Sequence, residues 1–316
     1  MPDDAPDCDA QAGAGLDAVA EVVIIGPGLL GASVGLGLRA AGWAGRITGV
    51  ARSAATLDAA AAVGAIDGGF DDPEPALANL SGPSLVIVAV PLSGFAAVFK
   101  KIAPHQRRGL VTTDLGSVKA PAAAEAKRHL AQPQFYVPAH PMAGSEKSGP
   151  AAATAGLFRG RPCVLCPDDA TDAGALARVA ALFERLGGEV VTMTAAEHDA
   201  RVAAVSHLPH LASVLIAQTA AAMGAAAGSA GPPDGRGAQP LQLASTGFRG
   251  ATRLALSNPP MRRDIVLANR ERIGEALDRF AKQLNQLRGE IRKGDHDALL
   301  ARLEEAQGIR ASVEGD

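Results

Sequence analysis

The sequence predicts an α/β chain, with a doubly wound domain over residues 21–193, an all-α domain over 194–316 and a disordered tail at 1–20. Three observations predict it. From Glu21 to about Val191 short apolar runs alternate with Ala-rich stretches of helical length. After Thr194 no strand-like run remains. The 316 residues correspond to two domains at about 150 residues each.

Taken in order, Val-Val-Ile-Ile at 22–25 is a strand buried on both faces, followed by a helix at 29–41 that Gly42 ends. Strands at 47–50, 85–90, 111–114, 135–139, 163–166 and 189–193 alternate with helices at 54–63, 95–102, 120–129 and 173–186. A Gly/Pro-rich stretch from Gly224 to Pro240 reads as a loop between two helical blocks. Beyond it Ile265, Ile273, Leu277, Phe280, Leu284, Leu287 and Ile291 keep helical spacing, an apolar face expected to meet a second copy of the chain.

Composition removes several functions. Lys+Arg 30 against Asp+Glu 33 leaves a net charge of -3, and the two arginine pairs, 107–108 and 262–263, are too small to track nucleic acid. The uncharged stretches 22–38 and 211–233 are too rich in glycine, proline or small residues to read as membrane spans. The acidic N-terminus is no secretory signal, so a cytoplasmic location is expected. Cys163 and Cys166 form C-x-x-C inside an apolar strand with no second pair, which reads as packing; no metal is expected.

The first strand runs directly into Gly26-Pro-Gly-Leu-Leu-Gly31 and a helix, the dinucleotide fingerprint of a Rossmann-like domain. Gly26, Gly28 and Gly31 permit the tight turn, the pyrophosphate approach and close helix packing, while Leu29 and Leu30 open the helix that binds phosphate. The acid that binds a ribose 2′-hydroxyl in NAD enzymes is missing after the second strand. Arg52 stands there with Ser53 and Thr56, suited to a 2′-phosphate, so NADP is expected in preference to NAD. Val90, Pro91 and Ser93 end the next central strand and are expected to border the nicotinamide.

Hydride removal from an alcohol needs a base, and histidine suits neutral pH. Of seven histidines, His105, His129 and His296 read as surface groups and His198 as a hydrogen-bonder at the domain junction. His140 follows a strand and opens the loop His140-Pro-Met-Ala-Gly-Ser-Glu-Lys-Ser-Gly149 at the ligand-binding edge. Ser117, in Asp114-Leu-Gly-Ser-Val-Lys119, is expected to orient it, and Lys119 reads as a surface charge at a helix start.

With Ser206-His-Leu-Pro-His210, Leu157-Phe158 and Gly247-Phe-Arg-Gly-Ala-Thr-Arg253, these motifs resemble the prephenate/arogenate (cyclohexadienyl) dehydrogenase family over residues 21 to about 290. The resemblance implies oxidative decarboxylation of a cyclohexadienol in tyrosine biosynthesis by a homodimer with an all-α dimerisation domain. It implies His140 as the base for the ring C4 hydroxyl, and Ser117 as its partner and a nicotinamide contact. It also implies Ser206, His207, His210, Arg253 and Glu146 as substrate-side residues, with Arg253 on a carboxylate.

The chain departs from the family pattern at Gly250-Ala251 and Met261-Arg-Arg-Asp264, where relatives often carry Asp-Phe and an aromatic before Arg-Asp. Arg262 leans toward prephenate and the NADP reading toward arogenate, which leaves the substrate open between the two. No regulatory domain or mutase fusion is expected. Two alternatives remain: another NADP-dependent dehydrogenase of the same two-domain plan, and a sensor that binds NADP without turnover. The absence of lysine between Thr194 and Leu277 speaks against the lysine-dependent hydroxyacid enzymes, and His140 with Ser117 against the sensor.

Overall fold

The structure, a computed structural model, describes residues 15–144, 147–226 and 239–313. Its first half alternates β1 (Glu21–Ile25), α1 (Leu29–Ala40), β2 (Arg46–Val50), α2 (Ala54–Ala62), β3 (Gly68–Phe70), α3 (Pro73–Ala78), β4 (Ser84–Val88), α4 (Phe95–Ile102), β5 (Leu110–Asp114), α5 (Ala120–His129) and β6 (Tyr136–Val137). The six strands are parallel in the order β3-β2-β1-β4-β5-β6. The order reverses between β1 and β4, which opens the ligand crevice at their carboxyl ends. Along β1, Val22 and Ile24 enter one core while Val23 and Ile25 enter the other, because helices cover both faces.

Two elements escape the sequence reading. Strand β3 is Gly-Gly-Phe, with little β propensity of its own. Helix α3 is a six-residue turn started by Asp72, which accepts from Glu74 N at 2.9 Å, with proline in its first turn.

The expected strand at 135–139 is broken at Pro138, which has no N–H to donate to a ladder. Tyr136 and Val137 complete the parallel sheet, and β7 (Ala139–Pro141) leaves it to pair antiparallel with β8 (Pro162–Leu165). After α6 (Ala173–Arg185), β9 (Glu189–Thr192) pairs parallel with β8 and completes a separate three-stranded sheet. The break carries His140 away from the main sheet and toward the helical half.

The expected tail through residue 20 needs correction over 15–20. Leu16–Ala18 forms one 3-10 turn, Leu16 and Val19 are 2% and 3% exposed, and Ala20 N donates to Pro83 O at 2.9 Å. Burying two apolar side chains offsets the cost of ordering this short segment. Residues 1–14 lie outside the described part.

From Thr194 the chain is helical. A capping box, with Glu197 N on Thr194 Oγ1 at 3.2 Å and Thr194 N on Glu197 Oε2 at 3.0 Å, starts α7 (Ala195–Val202). It continues through a π-helical turn (Ala203–His207) into α8 (Leu208–Ala226). The wide turn has a cause in Pro209, whose ring crowds the carbonyl four residues back and which supplies no N–H. Ser206 and His207 therefore stand in mid-helix at a local widening. By length and composition, Ala195–Met223 is long and apolar enough to cross a bilayer. It nonetheless buries His198, Asp199 and His207 in hydrogen-bonding surroundings, and His210 beside them, which makes it the spine of the helical half.

The predicted loop at 224–240 is helical as far as Ala226 and again from Gln239, and residues 227–238 lie outside the described part. There follow α9 (Gln239–Gln242), α10 (Thr246–Thr252), a 3-10 turn (Arg253–Leu256), α11 (Pro259–Ala268), α12 (Arg270–Lys293) and α13 (His296–Ser312). Gly294, at φ 64°, ends α12 in the left-handed conformation. Along α12 only the start of the apolar face is covered: Ile273 is buried, whereas Phe280, Leu284 and Ile291 are exposed, as are Leu300, Leu303 and Ile309 on α13.

Candidate active site

At the mouth of the crevice the three fingerprint glycines have different tasks. Gly26, at φ 94°, lies so close to β4 that a Cβ would fall 2.7 Å from Ala89 O. At Gly31 a Cβ would fall 2.5 Å from Gly26 O, so only glycine lets α1 meet the turn. Gly28 faces open space, with nothing within 4 Å of a Cβ, and no side chain caps α1. The N–H groups of Leu29, Leu30 and Gly31 precede the first intrahelical bond, Ala32 N to Gly28 O at 2.9 Å. This cradle fits a pyrophosphate.

Arg52 stands exposed just beyond β2. Ser53 starts α2 through its carbonyl, which accepts from Thr56 N at 3.0 Å, and its hydroxyl makes no capping bond. Val90 and Pro91 follow β4 at the crevice. Ser93 is turned elsewhere: its Oγ donates to Asp264 Oδ2 at 3.1 Å, tying the nucleotide half to α11.

His140 lies on β7, 8% exposed, and its Nδ1 is 2.8 Å from Nε2 of His198 on α7. His198 Nδ1 in turn lies 2.7 Å from Asp199 Oδ1. The Asp199 carboxylate also accepts Lys119 N and Ala120 N, each at 2.8 Å, at the start of α5. A carboxylate holding two backbone N–H groups is an acceptor, so His198 Nδ1 carries a proton and donates it to that bond. With His198 neutral, its Nε2 accepts from His140 Nδ1–H, which leaves His140 Nε2 unprotonated. Burial, followed by the Lys119 charge and the neighbouring His198 and His207, holds the His140 pKa well below the usual histidine value. The group is a neutral base in a fixed tautomer.

Beneath it lies a fully buried ion pair. Lys119 Nζ bonds the Asp114 carboxylate and the Ala139 carbonyl, the latter at 2.6 Å. Asp114 accepts further from Tyr136 OH at 2.7 Å, Gly116 N at 2.8 Å and Ala139 N at 3.1 Å. Burial and the Asp114 carboxylate keep Tyr136 a phenol. The expectation of a surface charge at Lys119 is corrected: its ammonium neutralises the buried acid at the end of β5.

On the helical side, Asn269 Nδ2 lies 2.8 Å from Asp199 O and 3.2 Å from His207 Nδ1. The amide donates in both bonds, so His207 presents Nε2–H. Burial and the Arg262 charge push the His207 pKa down to about 4, and the same two causes lower that of His210.

Family models match both halves: the prephenate dehydrogenase nucleotide-binding domain over residues 34–192 and the prephenate dehydrogenase dimerization domain over 194–305. The chain belongs to the prephenate dehydrogenase family. Cyclohexadienyl dehydrogenase of Zymomonas mobilis is 32% identical over 93% of the chain and 96% of its own length. A. aeolicus prephenate dehydrogenase, solved with hydroxyphenyl propionate and NAD+, is 30% identical with a TM-score of 0.84 over 93% of this chain and 98% of that one. Synechocystis arogenate dehydrogenase is 28% identical with a TM-score of 0.75 over 93% and 99%.

Against this family frame, the structure brings His140, His207 and His210 to one region and leaves others apart. Ser117 is half-buried in the loop after β5, but the partner of His140 Nδ1 is His198. Ser206 is half-buried on the π turn, and Arg253 is exposed at the start of its 3-10 turn. Glu146 lies outside the described residues. Sequence reasoning missed Lys119, Asp199 and Asn269. Glu197-His-Asp199 at the domain junction was the available signal for the first link to His140, whereas nothing local marks Asn269, which acts from between two helices. Cys163 and Cys166 are buried, free thiols with pKa values pushed up to about 12, chiefly by burial, as packing residues should be.

Proposed function

We propose that this enzyme catalyses the oxidative decarboxylation of prephenate, arogenate or both in tyrosine biosynthesis, with His140 as the base. The observation that carries the reading is the chain from His140 through His198 to Asp199, which with His198 neutral leaves His140 Nε2 unprotonated, in a fold that also carries a dinucleotide cradle. The site binds the ring with its C4 hydroxyl on that nitrogen, and His140 takes the hydroxyl proton as the C4 carbonyl forms. A nicotinamide cofactor held by the cradle would supply the acceptor for the hydride that leaves C4. Cleavage of the bond between ring C1 and its carboxylate leaves the electron pair in the ring, releases CO2 and yields the aromatic phenolate, which takes the proton back from His140 to become the phenol. His207, with Nε2–H available, supplies a neutral donor on the helical side of the site, and Ser117 borders the nicotinamide.

For the cofactor, Gly26, Gly28 and Gly31 with the start of α1 hold the pyrophosphate, and Val90 and Pro91 border the nicotinamide. Arg52, Ser53 and Thr56 select NADP over NAD. The exposed guanidinium of Arg52 directly after β2 supports this, as does the absence of an acid there. The test is reduction of NADP+ or NAD+, followed by absorbance, with either substrate. Arg52→Ala is expected to lower the NADP-over-NAD ratio of kcat/KM about tenfold to a hundredfold, as for one charge-assisted hydrogen bond. An unchanged ratio would remove Arg52 from the cofactor site.

The chain acts as a homodimer through its helical half, where Phe280, Leu284 and Ile291 present an uncovered apolar face. A cytoplasmic setting fits its two buried, unpaired thiols.

A further inference from the structure

The search beyond the catalytic histidine leads to Arg262 on α11. Its Nε is buried without a hydrogen-bond partner, and so is Nδ1 of His210 on α8. Buried polar atoms left unpaired are costly unless a ligand pairs with them. Their positions agree. Asn269, which ends α11, touches His207, and Arg262 lies seven residues earlier, two turns back on the same face of that helix. His210 follows His207 by three residues, nearly one turn along α8, and so lies on the same face. Arg262 is close enough for its charge to act on both histidines, while His207 acts in turn on His140. The order from the base outward is therefore His140, His207, and then Arg262 with His210. The helix bearing Arg262 is held to the nucleotide half by the bond from Ser93 to Asp264.

Given the reaction proposed above, on which this inference rests, the substrate's polarity fixes what meets Arg262. The C4 hydroxyl lies at His140, so the opposite pole of the ring, with its two carboxylates, points to the far end. A cation on the ring carboxylate would stabilise a charge that the reaction must expel as CO2, which opposes catalysis. A cation on the side-chain carboxylate binds ground and transition states alike and orients the ring.

We infer that Arg262, together with His210, binds the side-chain carboxylate and makes the enzyme prefer the pyruvyl substrate, prephenate, over the alanyl substrate, arogenate. An ammonium next to that carboxylate would meet an arginine and two neutral imidazoles. Among the described residues, Asp199 and Asp264 are already engaged. Asp199 holds the start of α5 and His198, and Asp264 holds Ser93 and Arg263.

The test is kcat/KM for prephenate and for arogenate in the wild type, Arg262→Gln and Arg262→Lys, with binding of the two aromatic products, 4-hydroxyphenylpyruvate and tyrosine, measured calorimetrically. The wild type is expected to prefer prephenate. Arg262→Gln is expected to lower kcat/KM for prephenate about 30-fold or more, mainly through KM, as when one partner of a desolvated charge pair is truncated. It should also weaken hydroxyphenylpyruvate more than tyrosine, and Arg262→Lys should restore part of both effects. A wild type that prefers arogenate would overturn the inference while leaving the reaction standing, as would an Arg262→Gln variant with unchanged preference. Turnover of neither substrate by the wild type would overturn the reaction and the inference together.

Discussion

His140→Asn is expected to lower kcat by about 10²–10⁴-fold, the range for removing a positioned general base, with little change in the KM for NADP. Asparagine keeps a polar group near the site but has no lone pair able to carry the C4 hydroxyl proton at neutral pH. The pH profile gives the second half of the expectation. The His140 pKa is held well below the usual value, so the base stays neutral as pH falls through about 6.5, where an ordinary histidine gains its proton. The acid limb of kcat in the wild type should therefore lie below that point and should be absent from the residual activity of the variant. A variant with near-wild-type kcat would show that another group accepts the proton.

Lys119→Met is expected to destabilise the fold by about 3–5 kcal/mol, the cost of leaving one member of a buried ion pair without its partner. That is a large part of the roughly 5–15 kcal/mol that holds a typical domain together. Lys119 and Asp114 are both wholly enclosed, and three further donors reach the same carboxylate. Removing the ammonium leaves those bonds but not the charge balance. The double variant Asp114→Asn, Lys119→Met should recover much of the loss, because it also removes the stranded charge. Urea unfolding of the four proteins measures the coupling. The single variant should also move the acid limb of kcat upward, since the Lys119 charge helps to keep His140 neutral. A loss of under about 1 kcal/mol, as for an exposed pair, would mean that the pair does not hold this junction.

Why some of this was legible in the sequence and some was not follows from distance along the chain. The cradle was legible because its parts lie within six residues, each glycine answering a local steric demand. His140 was legible because it follows a strand and opens a loop at the crevice. The partner on its Nδ1 was not legible: Ser117, expected to orient it, lies in the loop after the neighbouring strand, whereas the Nδ1 contact comes from His198, 58 residues away on the first helix of the other half. The turn from main sheet to second sheet at Pro138 brings the two together, and a five-residue apolar run does not announce that it will be split between sheets. Lys119 read as a helix-start charge because lysine is seldom buried. What buries it is Asp114, five residues back at the end of β5. Asn269 acts at a junction between helices, and its role appears only once α7, α8 and α12 are packed together.

The most direct test of the account is nitrogen NMR of the imidazoles in protein labelled at histidine, with the His140 signal assigned by its loss in His140→Asn. The account predicts that His140 is neutral, protonated on Nδ1 and bare on Nε2, and that it remains so as pH falls through about 6.5. A His140 ring protonated on Nε2, or one that gains its second proton at or above that pH, would contradict the chain from Asp199 through His198 and the role given to His140 as the base.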